Sequence, residues 1–335
     1  MRRNSKITRR RMLQISAAAY GSALLPSTGW AASDSLKPVT WRGTAIGAPA
    51  EIKLYTHDEG KARGLLRRVE SELRRLEAVF SLYRSDSAIS QLNLHGELTN
   101  PPLDIIRLLS TAKGISKSTC GAFDPTIQPL WALYAEHFVQ HRDPGQSPSS
   151  GKIAKALELV DCHAVMLSPD RIAFARPGME LSLNGIAQGY ITDRIANLLR
   201  QEGLNHVLVN MGETRGLDTH PSGRPWRVGI SAPENKDSVI REIEMIDRAV
   251  ATSAPWGTKF EPSGTFHHLI DPRTGHCASL YRSVTVTAPS ATLADAFSTA
   301  FAVMAWPDVR RIVSKMPGLR VNALDAQGAW LEAYA

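Results

Sequence analysis

Three cysteines in 335 residues, Cys120, Cys162 and Cys277, are too few to staple a chain of this size by disulfides. One bridge at most can form, and the sequence does not select it. The body also lacks long apolar runs and long blocks of one charge. With 43% hydrophobic and 21% charged residues it is neither a disordered nor a membrane-embedded chain, and it is long enough to bury a large core.

The first 33 residues lack any acid, yet carry six basic residues before position 12, followed by a mildly apolar, Ala-rich run. This has the form of an export signal. Arg9-Arg10-Arg11-Met12-Leu13 resembles the twin-arginine pattern, which implies a periplasmic protein exported already folded. Ser, Gly, Tyr and Pro within the run argue against a retained anchor, and small residues at Gly29 and Ala31 permit cleavage near position 31. The expected division is therefore a signal over 1–33 and a body over 34–335. Without the signal's six basic residues, the formal charge falls from +7 to +1. No clustered basic footprint for nucleic acid is left, and Arg67, Arg68, Arg74 and Arg75 read as the solvated face of a helix.

Residues 181–213 organise the body: LSLN reads as an apolar strand, a helix follows with Ile186, Ile191, Ile195, Leu198 and Leu199 on its stripe, Gly203 stands after its end, and HVLVN reads as a buried strand. The loop Asn184 to Gly189 then lies at a helix N-terminus, where glycines and free N–H groups suit phosphate. A tight turn using its glycines for geometry alone is the other reading. Residues 39–56 are expected as two short strands or one bent strand, a packing helix starts at Asp58 with its apolar stripe running to Phe80, and 164–176 is expected as a hairpin joining a mixed sheet. Asp86 is placed as the cap of a short helix, and residues 266–270 as a strand ending in the turn Asp271 to Gly275. Asp124 before Pro125 either serves a ligand or caps its own turn.

Asp295 and Thr299 lie four apart on a helix that is apolar on nearly every side. A buried carboxylate needs a partner. A cation held by Asp, Thr hydroxyl and backbone carbonyl would be Mg²⁺ or Ca²⁺ rather than Zn²⁺, and an Arg partner is the alternative. His267, His268, His276 and Cys277 match no familiar zinc spacing. Adjacent His267 and His268 should face opposite ways.

In order along the chain, Gly43 to Gly47, residues 80–93, Thr119 to Pro125, Ser182 to Gly189, Asn210 to Arg215, His268 to Gly275 and residues 288–299 resemble the ApbE family, the FAD:protein FMN transferases. The resemblance implies an α+β fold of two related halves, with FAD in the cleft between them and Mg²⁺ at its pyrophosphate. It implies flavin contacts at Ile46, Tyr83, Ala122, Phe123, Asp124, Ser182, Gln188 and the backbone near Leu269. It places the metal between the Gly185 carbonyl, Asp295 and Thr299, so that the glycine loop and the acidic helix meet. His268 falls on the histidine held to assist phosphoryl transfer. Ser182 stands where the family usually has Asp, Gln188 where it has Lys or Glu, Ile46 where Met is common, and Glu213 after Gly212 where Gly-Asp is usual. The implied reaction moves FMN from FAD to a Ser or Thr hydroxyl of a client flavoprotein and releases AMP. The same site would support an FAD pyrophosphatase giving FMN and AMP, and Ser182 makes a non-catalytic periplasmic FAD carrier conceivable. The signal and the opening WRGTAIGAPAEI resemble the NosX branch linked to nitrous-oxide respiration, which implies a NosR-like membrane client.

Overall fold

The computed structural model describes residues 22–24, 36–140, 145–233, 235 and 238–335. The export signal expected over 1–33 lies outside the described residues apart from Ser22–Leu24 (β1), which pairs with Trp226–Ser231 (β9).

Lys37–Ala45 (β2) and Ala48–Thr56 (β3) form one hairpin through a two-residue turn. Both turn residues have positive φ, 45° at Ile46 and 76° at Gly47, as the twist of a tight hairpin requires. For β-branched Ile46 this backbone costs about 1–3 kcal/mol. Its N–H is held by Glu77 Oε1 at 3.0 Å. Glu59–Phe80 (α1) follows, capped by Asp58, and buries Leu65, Leu66, Val69, Leu73, Leu76 and Phe80 as its apolar spacing dictates. The arginines on its other face are less free than expected. Arg75 binds Glu72 and Asp104, both at 2.8 Å or less, and Arg68 pairs with Glu202.

Residues 81–186 are an insertion. It contains Ala88–His95 (α2), Glu97–Thr99 (β4), Leu103–Ser118 (α3), Gln128–Gln140 (α4), Ser150–Leu157 (α5), Val165–Leu167 (β5) and Arg171–Phe174 (β6). Ser87, not Asp86, caps α2, because the Asp86 carboxylate is taken by Arg84. The β5–β6 hairpin forms as expected but pairs only with β4, in a separate three-stranded sheet.

The chain then runs through Ala187–Gln201 (α6), Val207–Asn210 (β7), Thr214–Leu217 (β8), β9, Val239–Met245 (β10), Ala249–Ser253 (β11), Tyr281–Ala288 (β12), Ala291–Phe301 (α7), Trp306–Val313 (α8), Arg320–Asp325 (β13) and Trp330–Tyr334 (β14). The main sheet has the order β2-β3-β7-β8-β11-β12-β13-β14, and every pairing in it is antiparallel. The mixed sheet expected from the sequence is thus corrected. The two halves share one plan: hairpin, helix, helix, hairpin, as β2-β3, α1, α6, β7-β8 and as β11-β12, α7, α8, β13-β14.

Alternation along the strands divides the core. Ile52, Leu54, Val207, Val209 and Val286 pack on α1, α6 and α7, while Leu208 and Val250 point to the other face and are covered by Trp226, Val228 and Met245 of β9–β10. Residues 181–183 are extended but join no sheet. Asn93 both donates to the Leu181 carbonyl at 2.9 Å and accepts its N–H at 2.7 Å, and Ser182 N–H donates to the Pro125 carbonyl. Residues 266–270 likewise make only isolated bridges, Lys259 with His267 and Ile270 with Cys277. In both stretches side chains satisfy backbone groups that a strand would have paired, and apolar periodicity cannot tell the two apart.

Candidate active site

A cleft of about 1270 Å³, counting the space open to solvent at its mouth, is lined by all twelve residues that the sequence singled out for flavin, metal or catalysis. Ile46 reaches it from the β2–β3 turn, Tyr83 and Ala122 to Asp124 from the insertion, Ser182 to Gln188 from the approach to α6, His268 and Leu269 from the β11–β12 connection, and Asp295 and Thr299 from α7. Ile127 and Trp131 add apolar wall at the end near Tyr83 and Phe123, which the sequence reading did not assign to the site. Glu213 and Asp295 are acidic members of the same lining.

Not every lining group is available to a ligand. Asp124 is largely engaged by the protein: Oδ1 accepts from Thr126 N–H at 2.8 Å and its hydroxyl at 2.6 Å, and Oδ2 accepts from Cys162 N–H at 2.9 Å, which leaves one acceptor position on Oδ2. Its carboxylate therefore ties the cleft wall to the following loop. Leu269 presents its side chain, since its N–H goes to His267 Nδ1 and its carbonyl accepts from Ala278.

The glycine loop also differs from the phosphate-cradle reading. Gly189 N–H donates to Asp295 Oδ2 at 2.9 Å, so one of the first N–H groups of α6 is taken by α7. A Cβ on Gly189 would meet the Ala291 carbonyl oxygen at 2.2 Å, so glycine is needed here for helix-to-helix approach. Gly185 lies against Thr299, whose hydroxyl would be 2.9 Å from a Cβ at that position. Gly185, Asp295 and Thr299 are therefore brought together.

Asp295 is 4% exposed and makes no ion pair among the described residues. The Arg partner weighed from the sequence is absent there; the buried Asp–Arg pair of this region is Asp193 with Arg215. Burial, offset in part by the Gly189 hydrogen bond and reinforced by Asp193, pushes the Asp295 carboxyl up to about 7. Glu213, on the β7–β8 turn, also lines the cleft and is 4% exposed. Burial and then the charge of Asp295 raise it well above the ordinary carboxylate range. The sequence reading noted Glu213 only as a departure; an acid directly after a buried strand and a glycine was the signal that could have found it.

His268 Nδ1 lies 3.1 Å from the Thr258 carbonyl oxygen, and its Nε2 has no protein partner among the described residues. Burial, with His267 beside it, pushes the imidazole down to about 4, so it is neutral at pH 7. His267 turns away, 2% exposed, with Nε2 on the Ala278 carbonyl. Only His268 lines the cleft; the two rings lie edge-on with centroids 6.3 Å apart, and since this stretch is not a strand the alternation expected of adjacent residues does not apply. No group of three or more His, Cys, Asp or Glu that could hold a metal occurs among the described residues, and Cys120, Cys162 and Cys277 are free thiols.

The fold is an antiparallel α+β scaffold with a cleft lined by apolar and aromatic side chains and by the buried acids Asp295 and Glu213, the composition of a small-molecule site. The chain belongs to the ApbE family, whose model matches residues 46–322. It is similar to the FAD:protein FMN transferases of Klebsiella pneumoniae strain 342, 28% identical over 95% of this chain and 94% of the relative, and of Escherichia coli K12, 29% identical over 85% and 84%. Among solved structures it is similar to the ApbE protein of Thermotoga maritima, with TM-score 0.78, 28% identity and coverage of 89% of this chain and 97% of that one. The apo flavinyl transferase ApbE of Pseudomonas stutzeri gives a TM-score of 0.77 at 27% identity, over 89% and 95%.

The raised acids make stability depend on pH. Asp295 and Glu213 titrate higher when folded than when unfolded, so their contribution is fully present below the ordinary carboxylate range and is lost as pH rises through their raised folded values, about 7 for Asp295. In EDTA the melting temperature should therefore fall from pH 5 to pH 8, and Asp295→Asn should flatten that fall. An equal pH slope in wild type and variant would contradict the assignment.

Proposed function

We propose that this protein is a periplasmic, Mg²⁺-dependent FAD:protein FMN transferase. The observation that carries the reading is the convergence of all twelve expected residues on one cleft, where the acid Asp295 has no cationic partner among the described residues. The flavin ring system belongs at the aromatic end, beside Tyr83, Phe123 and Ile46, and the pyrophosphate at the end carrying Asp295, Thr299 and Gly185. These three supply a carboxylate, a hydroxyl and a carbonyl, a hard-oxygen set that fits Mg²⁺. When bound there, Mg²⁺ would neutralise pyrophosphate oxygens and the charge building on departing AMP.

The client's Ser or Thr oxygen attacks the FMN phosphorus; a phosphoester bond forms, the P–O–P bond breaks, and AMP leaves. His268 Nδ1 is held at Thr258, 3.1 Å from its carbonyl oxygen and 3.3 Å from its N–H; in the tautomer with the proton on Nδ1, the Nε2 lone pair is free to take the hydroxyl proton. Near 4 it is a weak base in the empty cleft, and the negative pyrophosphate beside it would raise it. The client fits a NosR-like membrane flavoprotein that presents its acceptor in the periplasm. No helix among the described residues is long and apolar enough to cross a membrane, so client and enzyme would meet at a surface.

Incubating such a client with this protein, FAD and Mg²⁺ and weighing the client by mass spectrometry tests the reading. FMN bound covalently to the client is expected; free FMN with AMP indicates a pyrophosphatase, and unchanged FAD a carrier. His268→Ala should keep FAD affinity within about threefold and lose transfer by about 10²–10⁴-fold. Parallel loss of FAD binding would make His268 a structural residue.

A further inference from the structure

Glu213 is a buried acid that the reaction as drawn does not use. Its backbone is fixed on three sides. The Met211 N–H donates to the Glu213 carbonyl at 3.1 Å, Thr192 Oγ1 donates to the same oxygen at 3.2 Å, and a Cβ on Gly212, at φ 103°, would strike the Gln188 amide at 2.7 Å. The β7–β8 turn is thus pressed onto the first turn of α6, and the single Thr192 hydroxyl proton is shared between the Gln188 carbonyl at 2.8 Å and the Glu213 carbonyl. The next residue of α6, Gly189, holds Asp295. One helical turn therefore carries Glu213 on one flank and Asp295 on the other, with both side chains lining the same cleft.

Neither acid has a cationic side chain as partner among the described residues, for the nearby guanidinium of Arg215 is committed to Asp193. Asp295 Oδ2 is satisfied by Gly189, whereas Oδ1 has no donor. The Thr252 backbone lies beside the Glu213 carboxylate, and no ion pair reaches it among the described residues. Two carboxylates, each 4% exposed and so placed, repel at close quarters in a weakly screening interior unless positive charge joins them.

We propose that Glu213 supplies a second carboxylate to the cation site of Asp295, Thr299 and Gly185, so that this chain binds its divalent ion with two negative charges. The inference rests on the cation reading above. Added carboxylate charge strengthens divalent binding at oxygen sites. It also balances an active site in which Ser182 and Gln188 stand where the resemblance leads one to expect charged residues.

Binding of Mn²⁺ to the FAD-free protein at pH 8, followed by loss of the free-ion paramagnetic resonance signal, tests this without any transfer assay. Wild type should take up one Mn²⁺; Glu213→Gln should weaken it tenfold or more, Glu213→Asp by less, and Asp295→Asn most. In EDTA, Glu213→Gln should melt no lower than wild type, since an uncharged amide is easier to bury than the acid. Unchanged Mn²⁺ affinity in Glu213→Gln, with Asp295→Asn weakened, would overturn the role of Glu213 and leave the cation site standing. Absence of Mn²⁺ binding in wild type would overturn both. Should Glu213→Gln fail to fold, Glu213→Asp decides: affinity equal to that of Asp295→Asn, or equal to wild type, contradicts a ligand that has only been shortened.

Discussion

Asp295→Asn should slow FMN transfer by about a hundredfold or more, because a bound cation supplies several kcal/mol of charge stabilisation and the variant removes its central carboxylate. The fold should survive. The Asn carbonyl can still accept from Gly189 N–H, and no cation is orphaned, since no Arg or Lys pairs with Asp295 among the described residues. The raised carboxyl of Asp295 shows that its charged form is costly in the empty site, so in EDTA at pH 8 the variant should melt at or above the wild-type temperature. Excess Mg²⁺ should restore part of the rate. Transfer measured against Mg²⁺ concentration, beside thermal melts, checks this; a large drop in melting temperature with an unchanged Mg²⁺ dependence would reject the ligand role.

Asp193→Ala should do the reverse and unfold the protein more than it alters the chemistry. Asp193, on α6, accepts from the Ala291 N–H at 2.9 Å, the Thr292 N–H at 2.9 Å, the Thr292 hydroxyl at 2.6 Å and the Arg215 guanidinium. It is a cap for α7 delivered by another helix, working alongside Ser290, and one partner of a buried ion pair. Truncation would leave two helix N–H groups without an acceptor and Arg215, whose Nε already lacks a partner, without its counter-charge. Breaking a buried pair in this way costs about 3–5 kcal/mol. At roughly 2–4 °C per kcal/mol for a domain of this order, the melting temperature should fall by about 10 °C. Asp193→Asn, which keeps an acceptor for the helix, should lose less. Adding Arg215→Met to Asp193→Ala should recover part of the loss, because the orphaned charge is then gone. Equal losses in the single and double variants would show the ion pair to be irrelevant and leave the helix cap alone responsible.

Local pattern was enough for the pieces that carry their cause in neighbouring residues. The stripe of α1 with Asp58 before it, Pro102 ahead of α3, Gly203 at φ 83° after α6 and Ser290 before α7 all stand where propensity and spacing put them. Pattern failed where side chains from distant segments took over backbone groups. Asn93 holds residues 181–183 out of any sheet, and Arg84 draws Asp86 away from a capping role.

The residues of the site were legible for a related reason. Asp295 betrayed itself as an acid on an apolar helix, and its spacing from Thr299 alone put both on one face. What the one-dimensional pattern could not contain was the identity of their neighbours. Whether Asp295 met an Arg or the cleft depended on α6 crossing α7 at Gly189, with Arg215 already spent on Asp193. The duplication was hidden for the same kind of reason: residues 81–186 separate α1 from α6 in the first half, while α7 and α8 follow closely in the second. Helix formation and the local caps Asp58 and Ser290 are written in residues a few positions apart, and the sequence determined them. Sheet order, the partners of buried charges and the meeting of Glu213 with Asp295 are contacts across long stretches of chain. Burial energy and charge compensation select them only after the elements have packed, and so the tertiary structure alone decided them.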